Sequence, residues 1–140
     1  MNWDWEPCRR VGVFEFGADL SNYRDEYELE LVPEEYSESV GWEVYRPQKD
    51  DVRVYVENNS IVQIGCFESL LLEGLELIGL PIQKVKQILG MEPDENDILE
   101  VMDELEQVYE FEQVEAQFWT KDDRVVAIFC GRTEEEALAE

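Results

Sequence analysis

Histidine is missing from all 140 residues, and with it go the commonest general base, the common zinc ligand and most catalytic triads. Positive charge is scarce: 11 lysines and arginines stand against 35 aspartates and glutamates, for a net charge of −24 and a pI near 4.1. Such a field repels nucleic acid and anionic lipid and speeds encounter with cationic partners. No apolar run approaches the roughly 18 residues of a membrane span, and no basic-then-apolar start marks a secretory signal, so the expected compartment is the cytoplasm. The cysteines, Cys8, Cys66 and Cys130, form neither a disulfide framework nor a close metal-binding pair. The acids Glu92, Asp94, Glu95 and Asp97 cluster without the spacing of a calcium loop. No metal or cofactor is expected.

What is present is a repeat. The stretch Val54-Tyr-Val-Glu-Asn-Asn-Ser-Ile-Val-Gln-Ile-Gly-Cys66 returns 64 residues later as Phe118-Trp-Thr-Lys-Asp-Asp-Arg-Val-Val-Ala-Ile-Phe-Cys130. Each is expected to be a hairpin. β-favouring residues enter, Asn58-Asn59 or Asp122-Asp123 tolerate the positive φ of the reversal, and a second run leaves. Strict alternation places Val62, Ile64 and Cys66 on one face, and Val126, Ile128 and Cys130 likewise. Upstream, Phe16 to Tyr23 lines up with Ile78 to Val85 at an offset of 62.

Between these landmarks the pattern predicts further elements. Trp3 and Trp5 alternate with acids, either covering one end of the core or presenting an anchor to a partner. Strands are expected over Val11 to Phe16, Tyr27 to Leu31 and Trp42 to Tyr45, with a polar connection over 33–39. Phe67 to Leu77 fits either a strand pair broken at Gly74 or a bent loop. Pro81 at a first helical position, a stripe of Ile82, Val85 and Ile88-Leu89, and Gly90 at the C-terminal cap predict a short amphipathic helix over 81–89. Only Gly79 precedes it closely and no phosphate-loop lysine follows, so it is not a nucleotide site. Ile98, Met102, Leu105 and Tyr109 fall three or four apart, which favours a helix from Asp97 to Val108 over a strand and loop. The tail from Thr133 to Glu140 is helix-prone and expected to fray.

The distribution of charge points to binding. Between Arg24 and Arg46 lie eight acids and no base, and between Lys86 and Lys121 lie eleven and no base. Self-repulsion inside such runs is relieved by an incoming counter-charge. Aromatic residues set among the acids supply area that is desolvated on contact. The candidate partner-binding residues are therefore Glu34, Glu35, Tyr36, Glu38 and Trp42 in the first half, and Glu100, Asp103, Glu104, Glu106, Tyr109 and Glu110 in the second. No catalytic residue stands out: nothing in the spacing selects a carboxylate pair, and Cys8, whose pKa Arg9-Arg10 would lower, has no histidine partner.

The segment Gly79 to Gly90 followed by the Phe118 to Cys130 hairpin is similar in outline to the tandem helix-and-sheet repeat of the β-lactamase inhibitor proteins. Those inhibitors are secreted and disulfide-bonded, whereas this chain has three cysteines and no signal pattern. In composition the chain resembles the small acidic immunity proteins that bacteria pair with basic nuclease toxins. That resemblance implies inhibition of a toxin by covering its active site, and it carries no binding residue over.

The expected fold class is α+β: mainly antiparallel sheet built from two pseudo-repeated halves, 11–66 and 78–130, in a single domain over 1–140, with a few short helices on one face. The expected function is a non-catalytic acidic module that binds a basic protein, a toxin or nuclease, as a monomer or weak homodimer, with no direct contact to nucleic acid or membrane. The alternatives are a nucleic-acid mimic and a small-ligand or housekeeping domain.

Overall fold

A computed structural model describes residues 2–132 of the chain. Its dominant feature is an eight-stranded antiparallel sheet. The first half contributes β1 (Glu30–Leu31), β2 (Glu43–Arg46), β3 (Val52–Glu57) and β4 (Ser60–Cys66). After the helix α1 (Ile82–Leu89), the second half adds β5 (Glu95–Val101), β6 (Glu104–Phe111), β7 (Ala116–Lys121) and β8 (Arg124–Gly131). Across the sheet they run β5-β6-β7-β8-β4-β3-β2-β1, so two four-stranded meanders meet along their last strands.

The repeat is reproduced bond for bond. The turns at Asn58-Asn59 and Asp122-Asp123 both have positive φ at each residue, 50° and 66° in one and 52° and 64° in the other. Val54 pairs with Ile64 and Phe118 with Ile128, and both hairpins break register at equivalent steps, Tyr55/Val56 and Trp119/Thr120. Ahead of each, the Gly17 N–H donates to the Ile61 carbonyl at 2.7 Å and the Gly79 N–H to the Val125 carbonyl at 2.8 Å. Gly65 pairs with Phe129, its own equivalent 64 positions on, so a local two-fold axis passes through that pair.

The register break also corrects the facing of the outgoing arms. One extra residue enters each arm, so Ile61 and Ile64 point into the core while Val62 is only half-buried. In the second copy Val125 and Ile128 are inward and Val126 is 37% exposed.

One face of the sheet carries the core. Val54, Ile61, Ile64, Phe111, Phe118 and Ile128 are fully buried there, each contributing about 1.5–3 kcal/mol by leaving water. Ile82 and Val85 of α1 close over it, together with Leu20 of a 3₁₀ turn, Leu20–Asn22. The N-terminal segment completes the cover. Trp3, Trp5 and Phe14 are all buried, held by a small sheet of Trp5–Glu6, Arg10–Val11 and Phe14–Glu15. The tryptophans therefore cover the core rather than anchor a partner. Cys66 and Cys130 lie in this interior, where burial pushes the Cys66 thiol up to about 12 and Cys130 well above its usual value.

Several expectations change. The chain is mainly β rather than α+β, with α1 the only α-helix among the described residues. The region from Asp97 to Val108 is not a helix: β5 and β6 pair there around Met102-Asp103, both with positive φ. Val11 to Phe16 folds as two short strands about Gly12 instead of one, and only Glu30–Leu31 of the Tyr27 to Leu31 run is strand. Phe67 to Leu77 is a strand pair, Leu71–Leu72 with Leu75–Glu76, turning at Glu73-Gly74. The helix over 81–89 forms, with Pro81 as its N-cap and Gly90 in the left-handed conformation at its end. The tail reading for 133–140 lies outside the described residues.

Candidate functional site

Among the described residues α1 packs on the core face, and the opposite face of the sheet carries a row of aromatic rings instead. Trp42 packs 6.2 Å from Tyr55, Tyr55 6.3 Å from Phe129, and Phe129 lies 5.7 Å from Phe67 and 5.8 Å from Trp119. Alternation sets the strand members of the row: Val54 and Phe118 point into the core, so their neighbours Tyr55 and Trp119 point out. Phe129 lies over Gly65, where a Cβ would approach its ring to 2.9 Å. The tight seat sets Phe129 between two residues that are themselves repeat equivalents.

Beyond Trp119 this row opens into a groove of about 620 Å³, within the usual size of a ligand pocket. Tyr55, Val108, Trp119, Phe129 and Leu99 give it apolar walls. Its acidic rim comes from the outer hairpin, as Glu95 and Asp97 of β5 and Glu110 of β6. Glu95 and Glu110 are directly opposed across the strand pair, an arrangement in which like charges repel. Gln117 engages this rim: its Nε2 donates to Glu110 Oε1 at 2.5 Å, and its Oε1 accepts from Trp119 Nε1 at 3.2 Å. Among the described residues no lysine or arginine lines the groove.

The candidate residues from the sequence fall into two places. Glu34, Glu35, Tyr36 and Glu38 are exposed on the connection between β1 and β2, at one edge of the sheet. Glu100, Glu104, Glu106 and Glu110 belong to β5 and β6 at the opposite edge, with Asp103 in the turn between them. The two acidic stretches thus do not form one surface. Two candidates are not available to a partner at all. Trp42 is fully buried with its Nε1 donating to Glu57 Oε2 at 3.0 Å, and Tyr109 is 7% exposed beneath Lys86, whose Nζ sits 5.7 Å from the ring centre. Their aromaticity suggests contact, but strand pairing turns Tyr109 to the core, and Trp42 is enclosed beside Tyr55.

The first edge also supplies its own counter-charge. Arg53 Nε lies 3.1 Å from Glu35 and its Nη1 3.3 Å from Asp51, with the guanidinium 5.9 Å from the Phe67 ring centre. At the second edge Glu104 pairs with Lys121, while Glu100 and Asp103 are exposed. Cys8 is not activated. Glu6 engages both Arg9 and Arg10, and partial burial with the Glu115 carboxylate raises the Cys8 thiol pKa instead of lowering it.

Sequence reasoning misses the groove itself. Its signal lies in the outward positions of the two hairpins, Tyr55 and Trp119, and in the acids Glu95 and Asp97. Among the described residues no cluster has the makings of a metal site, and no helix is long and apolar enough to cross a membrane. No protein family, curated protein or solved structure matches this chain.

Proposed function

We propose that the chain is a non-catalytic acidic protein-binding module that neutralises a basic protein, in the manner of an immunity protein acting on a toxin such as a nuclease. The observation that carries this is the groove at the β5 edge, where Glu95, Asp97 and Glu110 rim an aromatic floor that, among the described residues, no lysine or arginine lines. Carboxylates steer a cationic surface into place, and the rings give desolvated contact once it arrives. β5 is also the last strand of the described sheet, so a partner strand can bond along its outer edge. A nucleic-acid mimic would need its carboxylates in one extended array, and the opposite-edge placement of the two acidic stretches disfavours that.

The test is calorimetric titration of the chain with the basic protein encoded beside its own gene. Reversing Glu95 and Asp97 to lysine together should cost about 2–5 kcal/mol of binding, while Glu34→Lys with Glu38→Lys should leave affinity within about twofold. Absence of heat with the neighbouring product, or equal losses from the two pairs, refutes the proposal.

A further inference from the structure

The open face seats an arginine between carboxylates and a ring in the first half and carries none at the equivalent position of the second. In the first half Arg53 of β3 is seated over Phe67 with Glu35 and Asp51 around its guanidinium, and its side chain is only 18% exposed. The equivalent position 64 residues later is Gln117 of β7, which pairs with Phe129 as Arg53 pairs with Gly65. Around Gln117 stand groups of the same chemistry drawn from non-equivalent positions: Glu95, Asp97 and Glu110 for charge, Trp119 and Phe129 for planar faces. At this position the second half has an amide in place of the guanidinium.

We propose that this groove is a receptor for a guanidinium, an arginine side chain presented in trans, and that the ligand supplies there what Arg53 supplies in cis. The proposal rests on the basic-protein function inferred above and names the group of the partner that the groove reads. Guanidinium fits better than the other cations. It is planar, stacks on aromatic rings and binds carboxylates in a two-pronged fashion, whereas an ammonium is a point charge that keeps its water more tightly. A hard metal ion needs its oxygens gathered into one shell, and among the described residues no group of carboxylates is so gathered.

The experiment follows the Trp119 indole N–H and the Gln117 side-chain amide by NMR in the full chain. The probes are acetyl-Gly-Arg-Gly-amide and its lysine and citrulline counterparts, at constant ionic strength. The arginine peptide should shift both signals saturably, the lysine peptide at least about threefold more weakly, and the neutral citrulline peptide not at all. Glu110→Gln should weaken the arginine peptide at least about fivefold. Gln117→Arg, which places in the second half the residue the first half already has, should abolish the response of the Trp119 indole N–H while the chain stays folded. Equal, non-saturating shifts with arginine and lysine, or an arginine response undiminished in Gln117→Arg, overturn the site. If a basic protein partner binds Glu110→Gln as tightly as the parent chain, the groove assignment falls and the function proposed above stands. If the arginine peptide saturates the groove but no basic protein binds, the function falls and the site stands.

Discussion

At the scale of single residues, Gly65 decides the shape of the open face. Any Cβ there would meet Phe129 at 2.9 Å for Cε1 and 3.1 Å for Cδ1, with Tyr55 at 3.4 Å behind it. The aromatic ring cannot retreat without losing its contacts to Trp119 and Phe67. Gly65→Ala is therefore expected to destabilise the chain by about 1–3 kcal/mol, read as a lower urea midpoint with an unchanged slope. Pairing it with Phe129→Leu should return part of that loss, because the two changes share one contact. Additive losses in the double variant would show that the ring does not rest on Gly65. In the sequence Gly65 is only an unmatched position inside the repeat, since an alignment of repeats reports equivalence and says nothing of what lies above a strand.

At the scale of elements, what can be read in advance depends on whether a turn announces itself. Asn58-Asn59 and Asp122-Asp123 favour the left-handed conformation, and both inner hairpins form where those pairs stand. Pro81 and Gly90 bound α1 in the same legible way. The outer hairpin gives no such notice. Its reversal at Met102-Asp103 puts a methionine, 92% exposed, at φ 50°, and Ile98 and Leu105 are 61% and 70% exposed. With water on both faces, a strand loses the apolar alternation that marks it, and chance spacing of Ile98, Met102, Leu105 and Tyr109 imitates a helix. Tyr109 and Trp42 mislead for a related reason: aromatic residues among acids look exposed until pairing fixes what covers them. Replacing Met102 by asparagine should relieve the strain of a left-handed methionine. The expected gain is about 0.5–1 kcal/mol in the hairpin, seen as roughly two- to fivefold slower amide exchange across 97–106. Unchanged or faster exchange there would show that the turn is not the weak point of β5 and β6.

At the scale of the whole molecule, charge sets the conditions under which this fold is stable. A net charge of −24 repels itself, and the compensating pairs among the described residues are mostly half-exposed at the surface. Raising sodium chloride from about 0.01 M to about 0.5 M shortens the range of that repulsion to a few ångströms. The thermal midpoint should rise by about 3–5 °C for each kcal/mol so recovered. A midpoint that stays level or falls would mean that the surviving ion pairs outweigh the repulsion. The two-fold axis through the Gly65–Phe129 pair has its own consequence for how copies of this chain sort themselves. Two meanders so alike invite strand exchange between molecules during folding, first half with first half or second with second. Along the same register a pair of first halves would set glycine against glycine and leave a hole, and a pair of second halves would drive two phenyl rings into one space. Only glycine against phenylalanine fits, so the unlike pair at the centre of symmetry is expected to disfavour such exchange.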